Sequence, residues 1–292
     1  MPEQKHHYIP EFYLKEWTQK DGRLIEFCRR HANRVVPRVT FPGGTGYMRG
    51  LYTMPSAPPH IRDVLEKRYL SVADGYAAIT LRKMLDEHWV PFGPYKVAWT
   101  RFVMSLLYRT PEGVARSMQM ITKFYEDSQF SEEIRENYAR MKSPGDPETP
   151  EEFVRQHGQR MSERTLVTHL MDIIESVRVK DKIMAMQWHL GHLKNQKHSL
   201  LTGDRPLVMT NGIAYERSHI VMPISPEHIL IMTNSDSETR AIKALSESGD
   251  LTRRLNDRIV RQARKFVYSR DKSQVRFIEA RLGERAHCSP FE

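Results

Sequence analysis

The chain has 292 residues, a hydrophobic content of 39% and a net charge of +9, so it can bury a core and favours anionic partners such as nucleic acid or another phosphate-bearing ligand. Charges of both signs are mixed throughout the chain, and solubility alone is the alternative explanation of the net positive charge. The two cysteines exclude a disulfide framework, and the lack of an apolar run near ~18 residues excludes a membrane span, so we expect a cytoplasmic protein.

The N-terminal 60 residues combine a short helix with a hairpin. Ile9, Tyr13 and Trp17 recur every four residues on one stripe, which predicts a helix over residues 10–18 (PEFYLKEWT) that Pro10 opens. RLIEFCRR and NRVVPRVTF, on either side of His31-Ala32, are rich in β-branched and aromatic residues and predict a β-hairpin. A Gly/Pro-rich segment follows, and its spacing fits no phosphate-binding loop.

The middle of the chain predicts helices. Apolar residues at intervals of three, four and once five mark a helix over residues 61–87. Further helices are expected over 95–108, 113–127 and 150–187, with a proline-rich linker before the last.

The C-terminal third predicts strands and a helix. HIVMPISPEHILIMTN indicates two strands around a Ser-Pro-Glu turn, residues 238–264 a helical region, and KFVYSR a late strand. The fold class is therefore α+β, a helical middle flanked by N- and C-terminal strands that share one antiparallel or mixed sheet. We expect a single domain over 1–292, with the helix and hairpin in 1–60, helices in 61–187, and strands and a helix in 188–292.

Two polar residues stand at places suited to chemistry. His7 precedes the first helix, where exposed backbone N–H groups favour an anion; a hydrogen bond that anchors the segment is the alternative. Asp204 lies in a Gly-Asp-Arg-Pro turn between two apolar runs. Its carboxylate is a candidate metal ligand or general base, or else it binds its own turn backbone.

The helical region offers three further candidates. Glu66 and Asp74 lie eight residues apart, about 80° around an ideal helix, with Arg62 placed four residues before Glu66 to pair with it. Arg109 ends an apolar helix and suits either a phosphate clamp or a cap for the last carbonyls. His189 and His192 are expected on a strand, where they point to opposite faces, so this pair alone predicts no metal site.

Several of these motifs together resemble a widespread bacterial family that is defined only as a domain of unknown function. Its members open with H-Y-[VI]-P-x-[FY]-[YL]-L and carry an [SG]-D-x-P turn and a P-[IL]-[ST]-P hairpin near the C-terminus. The matching positions are His7 to Leu14, Gly203 to Pro206 and Pro223 to Pro226, with the LYT, LEKRYL and YRTPEG segments and Asn256 as further landmarks. The resemblance covers nearly the whole chain.

The chain departs from the family pattern at two places. Gly203 replaces the serine that often precedes the aspartate, so Thr202 supplies the nearest hydroxyl, and Asp74 replaces the second glutamate, which shortens its reach. No activity follows from the resemblance, but it singles out five polar residues from distant segments as candidates: His7, Glu66, Arg109, Asp204 and Asn256.

These residues suggest a metal-dependent, nuclease-like phosphoester hydrolase. Glu66, Asp74 and Asp204 would hold Mg²⁺ or Mn²⁺. His7 would act as acid or base, Arg109 would neutralise phosphate charge, and Asn256 would complete the catalytic set. The alternatives are a non-enzymatic module that binds nucleic acid or protein, in which the same residues are structural, and a bacterial defence or toxin effector.

Overall fold

The computed structural model describes residues 4–29, 34–127, 130–193, 197–210, 212–247 and 249–283. The predicted hairpin turn at His31-Ala32 and the second cysteine, Cys288, lie outside these ranges. Within them the architecture is α+β, with a helical middle between antiparallel strands from both ends of the chain.

The N-terminal segment alternates short strands and turns. Its elements are β1 (Lys5–His7), α1 (Glu11–Leu14), a 3₁₀ turn (Lys15–Trp17), β2 (Leu24–Arg29), β3 (Val35–Thr40), a second 3₁₀ turn (Pro42–Gly44) and β4 (Tyr47–Arg49). The predicted hairpin is β2–β3, with Pro37 on the edge strand β3. The predicted single helix is α1 and its 3₁₀ extension, and Pro10 is its N-cap, with extended backbone.

Helices fill the middle of the chain. They are a π-helical turn (Leu65–Leu70), α2 (Ser71–Asp86), α3 (Gly93–Tyr108), α4 (Pro111–Glu126), α5 (Glu132–Met141), α6 (Pro150–Ile174) and α7 (Val177–Ala185). Thr110 and Thr149 cap α4 and α6 by accepting the N–H three residues on, and a proline follows each at the first helical position.

The C-terminal third returns to strands. It comprises β5 (Gln187–His192), β6 (Thr202–Gly203), β7 (Val208–Met209), β8 (His219–Pro223), β9 (His228–Thr233), α8 (Asp236–Glu247), α9 (Asp250–Gln262), β10 (Val267–Ser269) and α10 (Val275–Glu279). The predicted strand–turn–strand is β8–β9.

The two ends of the chain share a sheet, as predicted. Its order is β3-β2-β10-β6, and the late strand β10 pairs with β2 on one side and β6 on the other, antiparallel in both cases. A second antiparallel sheet, β5-β9-β8-β7, is formed by C-terminal strands alone, and β1 pairs with β4. The expectation of one shared sheet therefore holds for part of the strands.

The N-terminal helix is anchored in the main core against the C-terminal strands. Ile9, Tyr13 and Trp17 are all fully buried, as their stripe predicts. Tyr13 Oη donates to the carbonyl of Pro223 (2.7 Å) and shares a hydrogen bond with Thr202, while Trp17 Nε1 donates to the carbonyl of Leu200. These bonds fix the segment that carries His7.

The apolar stripe predicted for residues 61–87 is not the buried face throughout. Val72, Tyr76 and Ile79 of that stripe are more than half exposed, whereas its member Met84 is fully buried, as is Ala77, which lies outside the stripe. The π-helical turn before Ser71 changes the angular register, because an i→i+5 turn advances each residue by a smaller angle than an α-turn. An α-periodic reading therefore assigns the wrong face to Val72, Tyr76 and Ile79.

Candidate functional site

The two N-terminal histidines have different roles. His6 is fully buried, stacks on Tyr52 at 5.3 Å, and accepts the backbone N–H of Tyr52 at Nδ1 (3.0 Å). Its Nε2 lies 3.5 Å from Asp63 Oδ1. The anchoring hydrogen bond that the sequence analysis considered for His7 is therefore made by His6. The side chain of His7 is 14% exposed.

His7 ends strand β1 and lies opposite Tyr47 of β4. Its ring contacts the ring of Tyr47 at 5.5 Å, and its Nε2 lies 3.5 Å from Glu11 Oε1. Burial lowers the pKa of His7, and Glu11 partly opposes this effect. The imidazole is therefore biased towards its neutral form, in which one ring nitrogen accepts a proton.

Arg109 and Asp74 form the charged centre of the site. Arg109 is 1% exposed, and its Nη1 donates to both Asp74 oxygens at 3.0 and 3.1 Å. The Arg109 carbonyl accepts a hydrogen bond from Tyr52 Oη, which fixes the end of α3. Desolvation raises the pKa of Asp74, and the guanidinium opposes that rise.

Glu66 lies in the π-helical turn that precedes α2, and Asp74 lies in the first turn of α2. The charge of Asp74 contributes to a raised pKa of Glu66. Burial raises the pKa of Glu66 to about 7, while Arg109 and a hydrogen bond from the His7 backbone N–H lower it. Glu66 is therefore tied both to the His7 segment and to the Arg109–Asp74 pair.

The cluster of His7, Glu66, Asp74 and Arg109 holds buried polar atoms that the protein itself leaves unsatisfied. Within the described residues, His7 Nε2, Glu66 Oε2 and the Arg109 atoms Nε and Nη2 have no hydrogen-bond partner. Each such buried atom costs about 1–3 kcal/mol. Donors and acceptors together in one cluster are arranged for a ligand that has both kinds of group.

A cavity of about 290 Å³ is lined by neighbours of this cluster and by none of its four residues. Tyr47, which contacts His7, is in its wall, and so is Thr110, which follows Arg109. The wall also includes Arg205 and Lys265 as cations, and Glu112 and Asp204 as carboxylates. A larger groove of about 860 Å³ lies elsewhere, between α4 and α6, and its lining includes none of the predicted residues.

Asp204 connects two segments of backbone. Its oxygens accept the N–H groups of Arg264 (2.8 Å), Lys265 (2.6 Å) and Phe266 (3.0 Å). Burial raises the pKa of Asp204 to about 6, and the three N–H donors oppose that rise. The carboxylate therefore holds the loop between α9 and β10, rather than its own turn as an Asx-turn would.

Asn256 is also saturated by protein contacts. Its Oδ1 accepts the N–H of Leu201, and its Nδ2 donates to the carbonyl of Ser199 and to Gln274 Oε1. It is 1% exposed on α9. These bonds give it a structural role and place it in a network separate from the His7 cluster.

The structure therefore brings together four of the six predicted residues. In the described part of the chain, Glu66, Asp74 and Asp204 do not form a three-residue group with ligand atoms within 4.8 Å of one another. Arg62 donates to the carbonyl of Ala57, not to the neighbouring Glu66 as its spacing suggested.

Sequence reasoning missed a second cluster, of His88, His192 and His228. One ligand nitrogen from each lies within 4.8 Å of the other two. β5 is a strand, as predicted, so the side chains of His189 and His192 point to opposite faces. The ring of His192 instead contacts those of His88 and His228. A strand-pairing prediction of β5 with β9 would have been needed to find it.

Fold and site together define an α+β protein with a largely buried, mixed-charge cluster near a small cavity. Within the described residues, no helix is both long and apolar enough to span a membrane. The chain belongs to the DUF4238 family, described as proteins of unknown function, whose model matches residues 5–273. The expected membership of a family of unknown function is thereby confirmed. No curated protein and no solved structure matches the chain.

Proposed function

We propose that this protein is a phosphoester hydrolase that acts on an anionic substrate, with nucleic acid as the first class to test. One observation carries the proposal: His7, Glu66 and Arg109 present buried, unsatisfied donors and acceptors in a single cluster. A phosphate ester and its attacking water supply the complementary acceptors and donors.

Arg109 is suited to the phosphate. Asp74 binds Nη1 and thereby orients the guanidinium, while Nε and Nη2 remain as a fork for two phosphate oxygens. Arg205 and Lys265, in the wall of the adjacent cavity, add positive charge for the rest of the substrate.

Glu66 and His7 are suited to proton transfer. A carboxyl with a pKa of about 7 still carries a proton near neutral pH, and a buried imidazole that is mostly neutral has a ring nitrogen that can accept one. Water attacks phosphorus, His7 takes the proton of that water, the bond from phosphorus to the leaving oxygen breaks, and Glu66 protonates the leaving oxygen. This assignment moves the general base from Asp204 to His7.

A divalent cation is the alternative use of Glu66, because a carboxylate oxygen that binds a metal does not at the same time exchange a proton. Mg²⁺ and Mn²⁺ are often held by one or two carboxylates together with substrate phosphates. Glu66 Oε2 is the oxygen available for that contact, since both oxygens of Asp74 and both of Asp204 are engaged by donors. A requirement for metal is therefore expected to appear with substrate rather than in the free protein.

The test is hydrolysis of single-stranded and duplex nucleic acid and of a bis-aryl phosphodiester, with Mg²⁺, Mn²⁺ or EDTA. Glu66→Gln and His7→Gln should each lower turnover by about 10²-fold or more while the protein remains folded. Glu133→Gln makes the same charge change on the exposed face of α5 and should be as active as wild type. Turnover that is unaffected by both site variants would refute the assignment.

A non-enzymatic binding module is the second candidate. The observation in its favour is that Asp204 and Asn256, both in recognisable motifs, are satisfied by the protein's own backbone and side chains. In that case nucleic acid binds without turnover under every metal condition, and affinity falls when Arg205 and Lys265 are replaced by glutamine but not when Glu66 is.

A further inference from the structure

The second histidine cluster joins three separate parts of the fold. His192 ends β5 and His228 begins β9, and the two are direct partners in the antiparallel register. His88 comes from the loop between α2 and α3. The ring of His192 lies 4.2 Å from that of His228, and the His88 ring lies 5.7 and 5.5 Å from them, respectively.

Directly opposed residues on antiparallel strands have Cβ atoms about 4.5–5.5 Å apart, which suits two histidines that share one ion. A tetrahedral zinc site has Zn–N bonds of about 2.0–2.1 Å, so its nitrogens lie roughly 3.4 Å apart. The three nitrogens already lie within 4.8 Å of one another. His88 is exposed and the His192 side chain is 30% exposed, so both rings can turn inward by the remaining distance.

The surroundings of His228 orient its ring for a ligand. Its Nδ1 lies 2.8 Å from Ser225 Oγ, and the same hydroxyl accepts the His228 backbone N–H at 3.0 Å. Within the described residues, its Nε2 is buried and has no hydrogen-bond partner. An ion at Nε2 requires the proton on Nδ1, which then faces Ser225 Oγ, a hydroxyl that also accepts the backbone N–H of Glu227. A metal-bound histidine commonly directs its second nitrogen to such a hydrogen-bonding group.

Two further features belong to the same site. Glu227 Oε2 lies 3.7 Å from His192 Nε2, and this exposed carboxylate can serve as a fourth ligand or hydrogen-bond a bound water. His88 has a backbone φ of 49°, in the left-handed region that non-glycine residues seldom occupy. That conformation is part of the loop geometry that turns His88 towards β5 and β9.

From this juxtaposition we propose that His88, His192 and His228 form a binding site for a divalent transition metal of the Zn²⁺ type. Three imidazole ligands with one further position suit Zn²⁺ and its neighbours Co²⁺, Ni²⁺ and Cu²⁺, whereas Mg²⁺ prefers an all-oxygen shell. Because its ligands come from the α2–α3 loop and from two strands of the second sheet, a bound ion would join these elements. The proposal does not depend on the hydrolase.

The first experiment titrates tag-free, EDTA-treated and desalted full-length protein with Co²⁺, whose visible absorption reports nitrogen coordination, followed by displacement with Zn²⁺. We expect one equivalent to bind. His192→Ala and His228→Ala should each weaken binding at least 100-fold, and Ser225→Ala by 10- to 100-fold. His88→Ala, on an exposed loop, should weaken it at least 10-fold without altering the fold, so the test does not rest on the more buried positions.

The matched control is His189→Ala, three residues before His192 on the same strand, which should bind like wild type. Glu66→Gln should also leave Co²⁺ binding unchanged, and this separates the histidine site from the proposed hydrolytic site. Binding of less than one equivalent, or equal affinities in wild type, His88→Ala and His192→Ala, would overturn the proposal. An equal loss in His189→Ala would do the same, because it would show that binding does not depend on this cluster.

Discussion

Replacing Glu66 by glutamine should stabilise the protein at pH 8 while it abolishes the proposed hydrolysis. Burial raises the pKa of Glu66 from 4.5 to about 7, so the folded state holds a proton on this group that the unfolded chain releases. The contribution of Glu66 to the free energy of unfolding therefore falls as pH rises from about 4.5 to about 7, and it is constant above that range.

The size of the effect follows from the same two pKa values. Each unit is worth about 1.4 kcal/mol, so the ionised carboxylate destabilises the fold by up to about 3 kcal/mol at pH 8. Glutamine has nearly the same shape and cannot ionise. The variant should thus be more stable than wild type by up to about 3 kcal/mol, or roughly 5–10 °C in melting temperature, at pH 8, and equal to it near pH 4.5.

The assay is urea unfolding of both proteins at a series of pH values between 4.5 and 8, with Glu133→Gln as the control for loss of one negative charge. The control should follow wild type at every pH. A Glu66→Gln variant that is less stable than wild type at pH 8, or whose difference does not change with pH, would show that Glu66 is an ionised partner of Arg109. The reasoning on its pKa would then be wrong.

Three further predictions concern the other candidates. Asp204→Ala leaves three backbone N–H groups without an acceptor and should lower the free energy of unfolding by about 4 kcal/mol in urea titrations; a loss below about 1 kcal/mol with activity abolished would restore its catalytic role. Asn256→Ala should cost about 2–4 kcal/mol and leave the activity per folded molecule unchanged, which calorimetry and turnover measured together would check. Asp74→Asn should cost about 3–5 kcal/mol by leaving the Arg109 charge buried without its partner, and the Asp74→Leu/Arg109→Met double variant should regain most of it; equal instability of single and double variants would argue against this pair as the cause.

Most of the architecture could be predicted from the sequence because its signals are local. The β2–β3 and β8–β9 hairpins and the proline-started helices follow from residue type and spacing within about twenty residues. The sharing of a sheet between the two ends was also correct, since strands at both termini need partners. The short strands β1 and β4 were missed, because three residues carry too little pattern to detect.

The site was less predictable, for two physical reasons. A π-helical turn changes which residues share a helix face, and no apolar period shows it in advance, so helix geometry alone gave no reason to group Glu66 with Asp74; only the family resemblance did. Hydrogen bonds between distant segments decide whether a polar residue is structural: the acceptor role of Asp204 became clear only with the loop before β10 in place. The histidine cluster likewise depends on strand register.

The contacts of the first helix also affect how the chain folds. Tyr13 bonds to groups 189 and 210 positions further along, and β2 finds its inner partner only in β10. Synthesis at about 5–20 residues per second leaves Tyr13 and Trp17 without their final surroundings for roughly 10–40 s. During that time aromatic side chains that are fully buried in the finished protein are accessible. This segment is made well before its partners and is thus completed late, a topology that favours slow folding.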